Sequence, residues 1–127
     1  MDAVILHIET ATKTCSVALS ASGKLLTSHE TSPDNYIHGE QLTIFIEKVC
    51  AEVTLQLSDL DAVSVSIGPG SYTGLRIGLS TAKGLCFGLK IPIIYSRVWR
   101  NYTVLIFNYS ALFNSWYCKS NFCPVLV

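Results

Sequence analysis

Apolar and polar positions along the 127 residues change period several times, and each change predicts an element. "AVILHIET" is a short run rich in branched residues, which predicts a buried strand. "CSVALSASGKLLTSHE" alternates small polar with apolar residues around Ser22-Gly23. That pattern predicts a hairpin, so three antiparallel strands open the fold. After the Pro33-Asp34-Asn35 loop the period lengthens. Leu42, Phe45, Ile46, Val49, Cys50 and Val53 form one helical stripe. Glu40, Glu47, Lys48 and Glu52 lie mostly off it, as does Ile44, which hints at a second buried face. "LDAVSVSIG" predicts a fourth strand. A helix is expected from about Thr73 to Leu89, and "IPIIY" predicts a fifth strand.

The order is thus β-β-β-α-β-α-β. A helical crossover joins sheet neighbours right-handedly, so the fourth strand should lie parallel to the first. The expectation is an α/β lobe with a mixed sheet. It matches half of the duplicated fold of the actin, hexokinase and Hsp70 type, a ribonuclease H-like lobe.

Composition changes the picture at one place. Residues 1–94 hold all nine acidic residues, six of the nine basic ones and four aromatics. Residues 95–127 hold nine aromatics and no acid. The expected division is therefore a lobe over 1–94 and an atypical aromatic-rich tail over 95–127. That tail reads either as a short lobe with an aromatic core or as an out-of-frame stretch.

Net charge is zero, which argues against autonomous nucleic-acid binding through a basic surface. Cys15, Cys50 and Cys86 sit inside apolar patterns, as buried reduced thiols do. No leader pattern precedes the first strand and no run reaches membrane-span length. These features predict a cytoplasmic protein without a membrane partner.

The stretch Gly68–Gly78, "GPGSYTGLRIG", carries the question of chemistry. A glycine-rich turn feeding a helix can cradle phosphate with backbone N–H groups. Here those would be the N–H groups of Tyr72, Thr73 and Gly74. Two small-residue stripes run through the helix itself: Gly74, Gly78 and Ala82, and Ser80, Gly84 and Gly88. A helical glycine costs about 1 kcal/mol relative to alanine, so close backbone approach must offset several of them. One stripe suits the lobe's own sheet and the other a partner helix; the sequence leaves open which is which.

"ILHIETATKTCSVALS", the Tyr36-Ile-His38-Gly-Glu40 segment and "GPGSYTGLRIGLSTAKGLCFGLKIPII" together resemble the TsaB (YeaZ) family over about residues 3–94. The resemblance implies an accessory subunit of tRNA N6-threonylcarbamoyladenosine synthesis. Such a subunit pairs with the catalytic subunit TsaD and, in the complex, with the ATPase TsaE. It meets tRNA indirectly and can form a homodimer. ATP and metal belong to the partner complex, and none is expected on this chain alone. The family has two lobes, and only the first is matched.

The resemblance implies a partner interface from Tyr36, His38, Ile44, Phe45, Ser71, Tyr72, Thr73, Gly74, Arg76, Gly78 and Ala82. Glu9, Thr10 and Thr12 occupy the place of the first phosphate loop of actin-like ATPases, as a vestigial loop. TsaD holds its metal partly with a His-x-x-x-His pair after the fifth strand. The corresponding "YSRVWRN" has no histidine, and His38 has Leu42 four residues on. No catalytic or metal-binding residue is therefore assigned, and His7 is read as structural. The competing reading is an actin-fold nucleotide-binding phosphotransferase or a glycoprotease-like metallopeptidase.

Overall fold

A computed structural model describes residues 3–30 and 38–96. Its elements are β1 (Val4–Glu9), β2 (Ser16–Ala21), β3 (Lys24–Glu30), α1 (His38–Glu52), β4 (Ala62–Ser66), α2 (Tyr72–Leu89) and β5 (Ile93–Ser96). A one-turn 3-10 helix, Leu57–Asp59, precedes β4. The five strands form one sheet in the order β3-β2-β1-β4-β5. β1, β2 and β3 are antiparallel neighbours, while β4 runs parallel to both β1 and β5. This is the expected β-β-β-α-β-α-β order with a mixed sheet, an α/β lobe.

The hairpin between β2 and β3 turns at Ser22 and Gly23, whose φ values of 53° and 77° are both positive. Two left-handed residues match the right-handed twist of the flanking strands. β3 is one of the two edge strands of the sheet among the described residues. A bulge near Leu19/Ser20 in its pairing with β2, and Lys24 and Glu30 at its ends, discourage pairing with another edge.

One sheet face is the main core. Leu6, Ile8, Val17, Leu19, Val63 and Val65 meet Leu42, Ile46, Val49 and Cys50 of α1, and Ala82 and Cys86 of α2. The helical stripe anticipated for α1 is the stripe that packs: Phe45 and Val53 lie half-buried at its border. Ile44 stays 47% exposed and belongs to no second buried face. The opposite sheet face carries a smaller apolar cluster, Ala3, Ile5, Ala62 and Ile94, beside buried His7, Ser20 and Ser64.

The 3-10 turn was not anticipated. Its order comes from side-chain bonds rather than periodicity. Asp59 Oδ2 accepts from the Gln56 N–H at 2.7 Å. Two residues later Asp61 Oδ2 accepts from the Val4 N–H at 2.7 Å, fixing the start of β4 beside β1. No helix among the described residues is long and apolar enough to cross a membrane. The tail beyond residue 96 and the segment 31–37 lie outside the described residues.

Candidate functional site

β1 and β4 end side by side, and the turns that follow them close onto each other. After β4 the chain turns through Gly68, whose φ of 114° favours glycine. It reaches Ser71, the N-cap of α2, whose Oγ accepts from the Gly74 N–H at 3.3 Å. The Ser71 N–H donates to the Ala11 carbonyl at 2.7 Å. The Thr10 hydroxyl donates to the Gly74 carbonyl at 2.6 Å. Thus the turn after β1 is fastened to the first turn of α2 at two points.

These contacts explain the glycines. A Cβ on Gly70 would run into the backbone of Ala11. On Gly74 it would strike the Thr10 carbonyl, and on Gly78 the Thr10 hydroxyl. The glycine-rich stretch therefore lets two backbone segments meet. One donor expected to receive an anion, the Gly74 N–H, is already used by the cap.

This geometry corrects part of the interface expected from sequence. Gly74, Gly78 and Ala82 are buried, with Cys86, on the face of α2 that meets the lobe's own β-strands. Their small size serves that internal contact, and they lie on the inward face of α2. Ser71 is exposed but is engaged as the N-cap.

The other side of α2 is open. Tyr72, Thr73, Arg76, Ser80, Lys83, Gly84, Phe87 and Gly88 are all exposed. Tyr72 and Phe87 are 73% and 89% exposed, the two most exposed large apolar side chains among the described residues. The Arg76 guanidinium lies 5.4 Å from the centre of the Tyr72 ring, a cation–π contact. A Cβ on Gly84 or Gly88 would meet nothing within 4 Å. On α1, Ile44 is outward, whereas Phe45 is turned toward β3, where its ring stacks with His29 at 5.9 Å. Tyr36 lies outside the described residues, as does the side chain of His38. Sequence reasoning missed Lys83 and Phe87. Their signal was present, because Tyr72, Arg76, Ser80, Lys83 and Phe87 recur every three or four residues, on one helical face.

The residues read as a vestigial phosphate loop separate. Thr12 is exposed, while Thr10 is buried and committed to Gly74. Glu9 is buried and turns back, its Oε1 accepting from the Ala11 N–H at 2.8 Å. Burial raises the Glu9 carboxyl above its ordinary range; the Ala11 N–H and the nearby Ser66 hydroxyl pull the other way. Among the described residues neither Glu9 Oε2 nor Ser66 Oγ makes a hydrogen bond of good geometry, the Ser66 hydroxyl acting on the carboxyl only as a close neighbour. One pleat below, His7 Nε2 meets Ser20 Oγ at 2.8 Å, and burial lowers the imidazole pKa to about 4. A histidine so placed stays neutral and structural. Burial likewise pushes the Cys15 thiol up to about 11, far from a reactive thiolate. Among the described residues no three His, Cys, Asp or Glu side chains gather where a metal ion could be held.

Comparison with known proteins adds the family. The model of the family described as TsaD, tRNA N6-adenosine threonylcarbamoyltransferase, matches residues 35–95. The tRNA threonylcarbamoyladenosine biosynthesis protein TsaB of Escherichia coli is 37% identical over 90 residues, covering 71% of this chain and 38% of that protein. TsaB of Haemophilus influenzae is 36% identical over 90 residues, with 71% and 37% covered. The solved structure of YeaZ from Pseudomonas aeruginosa superposes with a TM-score of 0.70 at 33% identity, covering 75% of this chain and 44% of that one. The chain thus spans less than half the length of these relatives. Sequence identity and superposable structure lead to one assignment: over its N-terminal part the chain is a member of the TsaB (YeaZ) family.

Proposed function

We propose that this chain acts as a non-catalytic subunit in tRNA N6-threonylcarbamoyladenosine synthesis, pairing with TsaD and activating it. The observation that carries the reading is the outward face of α2. Two helical glycines there meet no packing neighbour among the described residues, and they lie beside the most exposed aromatic among those residues. An exposed apolar side chain beside bare backbone suits a helix that another helix approaches closely. The names of the relatives place them in the same biosynthesis. In this reading TsaD supplies the catalytic groups and the metal, and TsaE and ATP act on the complex. The tRNA is met through TsaD, in the cytoplasm. This chain alone carries no cofactor.

The test is threonylcarbamoyl transfer to tRNA, measured with this full chain with and without TsaD, together with co-purification. The chain alone should stay at background, and adding it to TsaD should raise turnover. Phe87→Ser should abolish both co-purification and the stimulation while leaving thermal stability nearly unchanged. Turnover by the repurified chain without TsaD would overturn the non-catalytic role. A Phe87→Ser variant that binds TsaD like the wild type would remove α2 from the interface.

A further inference from the structure

The register of the sheet gathers a group of polar side chains that the α2 face does not involve. Glu9 of β1 stands opposite Ser16 of β2. Ile8 pairs with Val65 of β4, so the next step of that parallel register puts Glu9 beside Ser66, and Ser66 pairs with Ser96 of β5. One row thus crosses four strands as Ser16, Glu9, Ser66 and Ser96. It continues to exposed Glu30 on β3. Alternation puts the row on the sheet face away from α1 and α2, because the adjacent Ile8, Val17, Val65 and Tyr95 belong to the helix-covered core. Neighbouring strands lie about 4.8 Å apart, so each polar side chain is one strand from the next. Ser16, Glu9, Ser66 and Ser96 are all buried, Glu9 being 8% exposed and Ser66 1%.

Charge and hydrogen bonds do not balance inside this row. Glu9 Oε1 is taken by the Ala11 N–H. Glu9 Oε2 and Ser66 Oγ make no hydrogen bond of good geometry among the described residues. No ion pair among those residues reaches Glu9, and His7, two residues back on the same face, is held neutral by burial. A buried carboxylate without a counter-charge is strongly penalised.

We propose that this row binds a monovalent metal cation, Na⁺ or K⁺, through Glu9 Oε2 and the Ser66 hydroxyl, with the hydroxyls of Ser16 and Ser96 on either side. The donors are all oxygens, which suits a hard cation. One carboxylate balances one positive charge. A divalent ion would leave a buried excess of charge, and Ca²⁺ collects more oxygen ligands while Mg²⁺ keeps several waters. An anion would face Glu9. The ion is a structural counter-ion, outside the transfer chemistry proposed above. Its effect reaches the start of α2, because Ala11 holds Glu9 Oε1 through its N–H and receives the Ser71 N–H through its carbonyl.

The experiment follows thermal unfolding of the full chain near neutral pH in NaCl, KCl or choline chloride, each at about 150 mM so that screening is the same. Choline is too large for a buried row. Na⁺ or K⁺ should raise Tm above the choline value. At about ten times its Kd the cation raises the folding constant about tenfold, a rise of several degrees. Glu9→Gln keeps the shape without the charge and should melt alike in all three salts. Ser66→Ala keeps the charge and should need several-fold more cation for the same rise; it decides the matter if Glu9→Gln does not fold. A wild-type chain that melts alike in the three salts has its counter-charge from another source, and the inference falls. It falls also if the salt response of Glu9→Gln, or the cation midpoint of Ser66→Ala, equals that of the wild type. A rise with MgCl₂ added to choline chloride, absent with Na⁺ and K⁺ and lost in Glu9→Gln, would make the ion divalent and overturn it.

Discussion

Alanine at each of four helical glycines should separate the two faces of α2 by sign. At Gly84 and Gly88 the new Cβ meets nothing within 4 Å. Only the backbone term operates there, so Gly84→Ala should stabilise the chain by about 0.5–1 kcal/mol. At Gly74 the Cβ would drive into the Thr10 carbonyl, a backbone atom at the end of β1 that has little freedom to retreat. Gly74 also lies in the first helical turn, where the propensity gain is small. Overpacking of this kind costs about 1–3 kcal/mol, so a net loss is expected. At Gly78 the obstacle is the Thr10 hydroxyl, which can rotate. Rotation, however, breaks its bond to the Gly74 carbonyl, a loss of about 1 kcal/mol that offsets the gain in helix propensity.

The expected order of stability is Gly84→Ala above wild type, then Gly78→Ala, then Gly74→Ala. Urea or thermal unfolding of the full chain measures it. Each kcal/mol corresponds to about 4–8 °C for a domain of this size. A Gly74→Ala chain as stable as wild type would show that α2 does not sit against Thr10 as described. A Gly84→Ala chain as destabilised as Gly74→Ala would show that both faces are internal, and the docking argument would lose its basis.

Two further substitutions probe the turn after β1 and the sheet face behind it. Thr10→Val keeps the shape but removes the donor to the Gly74 carbonyl, and should lower stability by about 1 kcal/mol in urea unfolding; no loss would mean the fastening rests on the Ser71–Ala11 bond alone. His7, with its pKa lowered from 6.5 to about 4, stays neutral when folded while the unfolded chain takes up a proton below pH 6.5. Its contribution is present above pH 6.5 and is lost as pH falls toward 4, roughly 3 kcal/mol in all. Glu9, raised by burial, acts in the opposite sense: its neutral form is favoured on folding, so acidification relieves it. Between pH 6.5 and 4.5 His7→Gln should flatten the fall in stability and Glu9→Gln should steepen it; equal slopes in both variants and the wild type would refute the assignment.

Much of the lobe was legible because period alone distinguishes its elements. The alternation across Ser22-Gly23 and the stripe from Leu42 to Val53 each admit one element. What was not legible depends on contacts far apart in sequence. Glu9 sits where a phosphate-loop acid would be, yet its carboxylate folds back onto the Ala11 N–H. The same Ala11 also accepts through its carbonyl from the Ser71 N–H, sixty residues later. Phe45 falls on the helical stripe but also reaches His29 on β3, a placement that needs the register of the outer strand. The 3-10 turn before β4 rests on Asp59 and Gln56, which no periodicity announces.

The small-residue helix shows the same division most sharply. Its two stripes have the same spacing of four and lie about a third of the circumference apart, so nothing local to the helix ranks them. Thr10 decides. Because its carbonyl and hydroxyl both sit against α2, the face bearing Gly74 and Gly78 has to turn inward, and small residues there are required by the fold itself. The face bearing Gly84 and Gly88 is left with helix-weakening glycines that no internal contact demands. No contact among the described residues accounts for them, and the same face holds Phe87 and two cations that form no ion pair among the described residues. Each of these features is unfavourable or neutral for a lobe standing alone. Under the proposed docking reading they become favourable once a second apolar surface covers Phe87 along the helix.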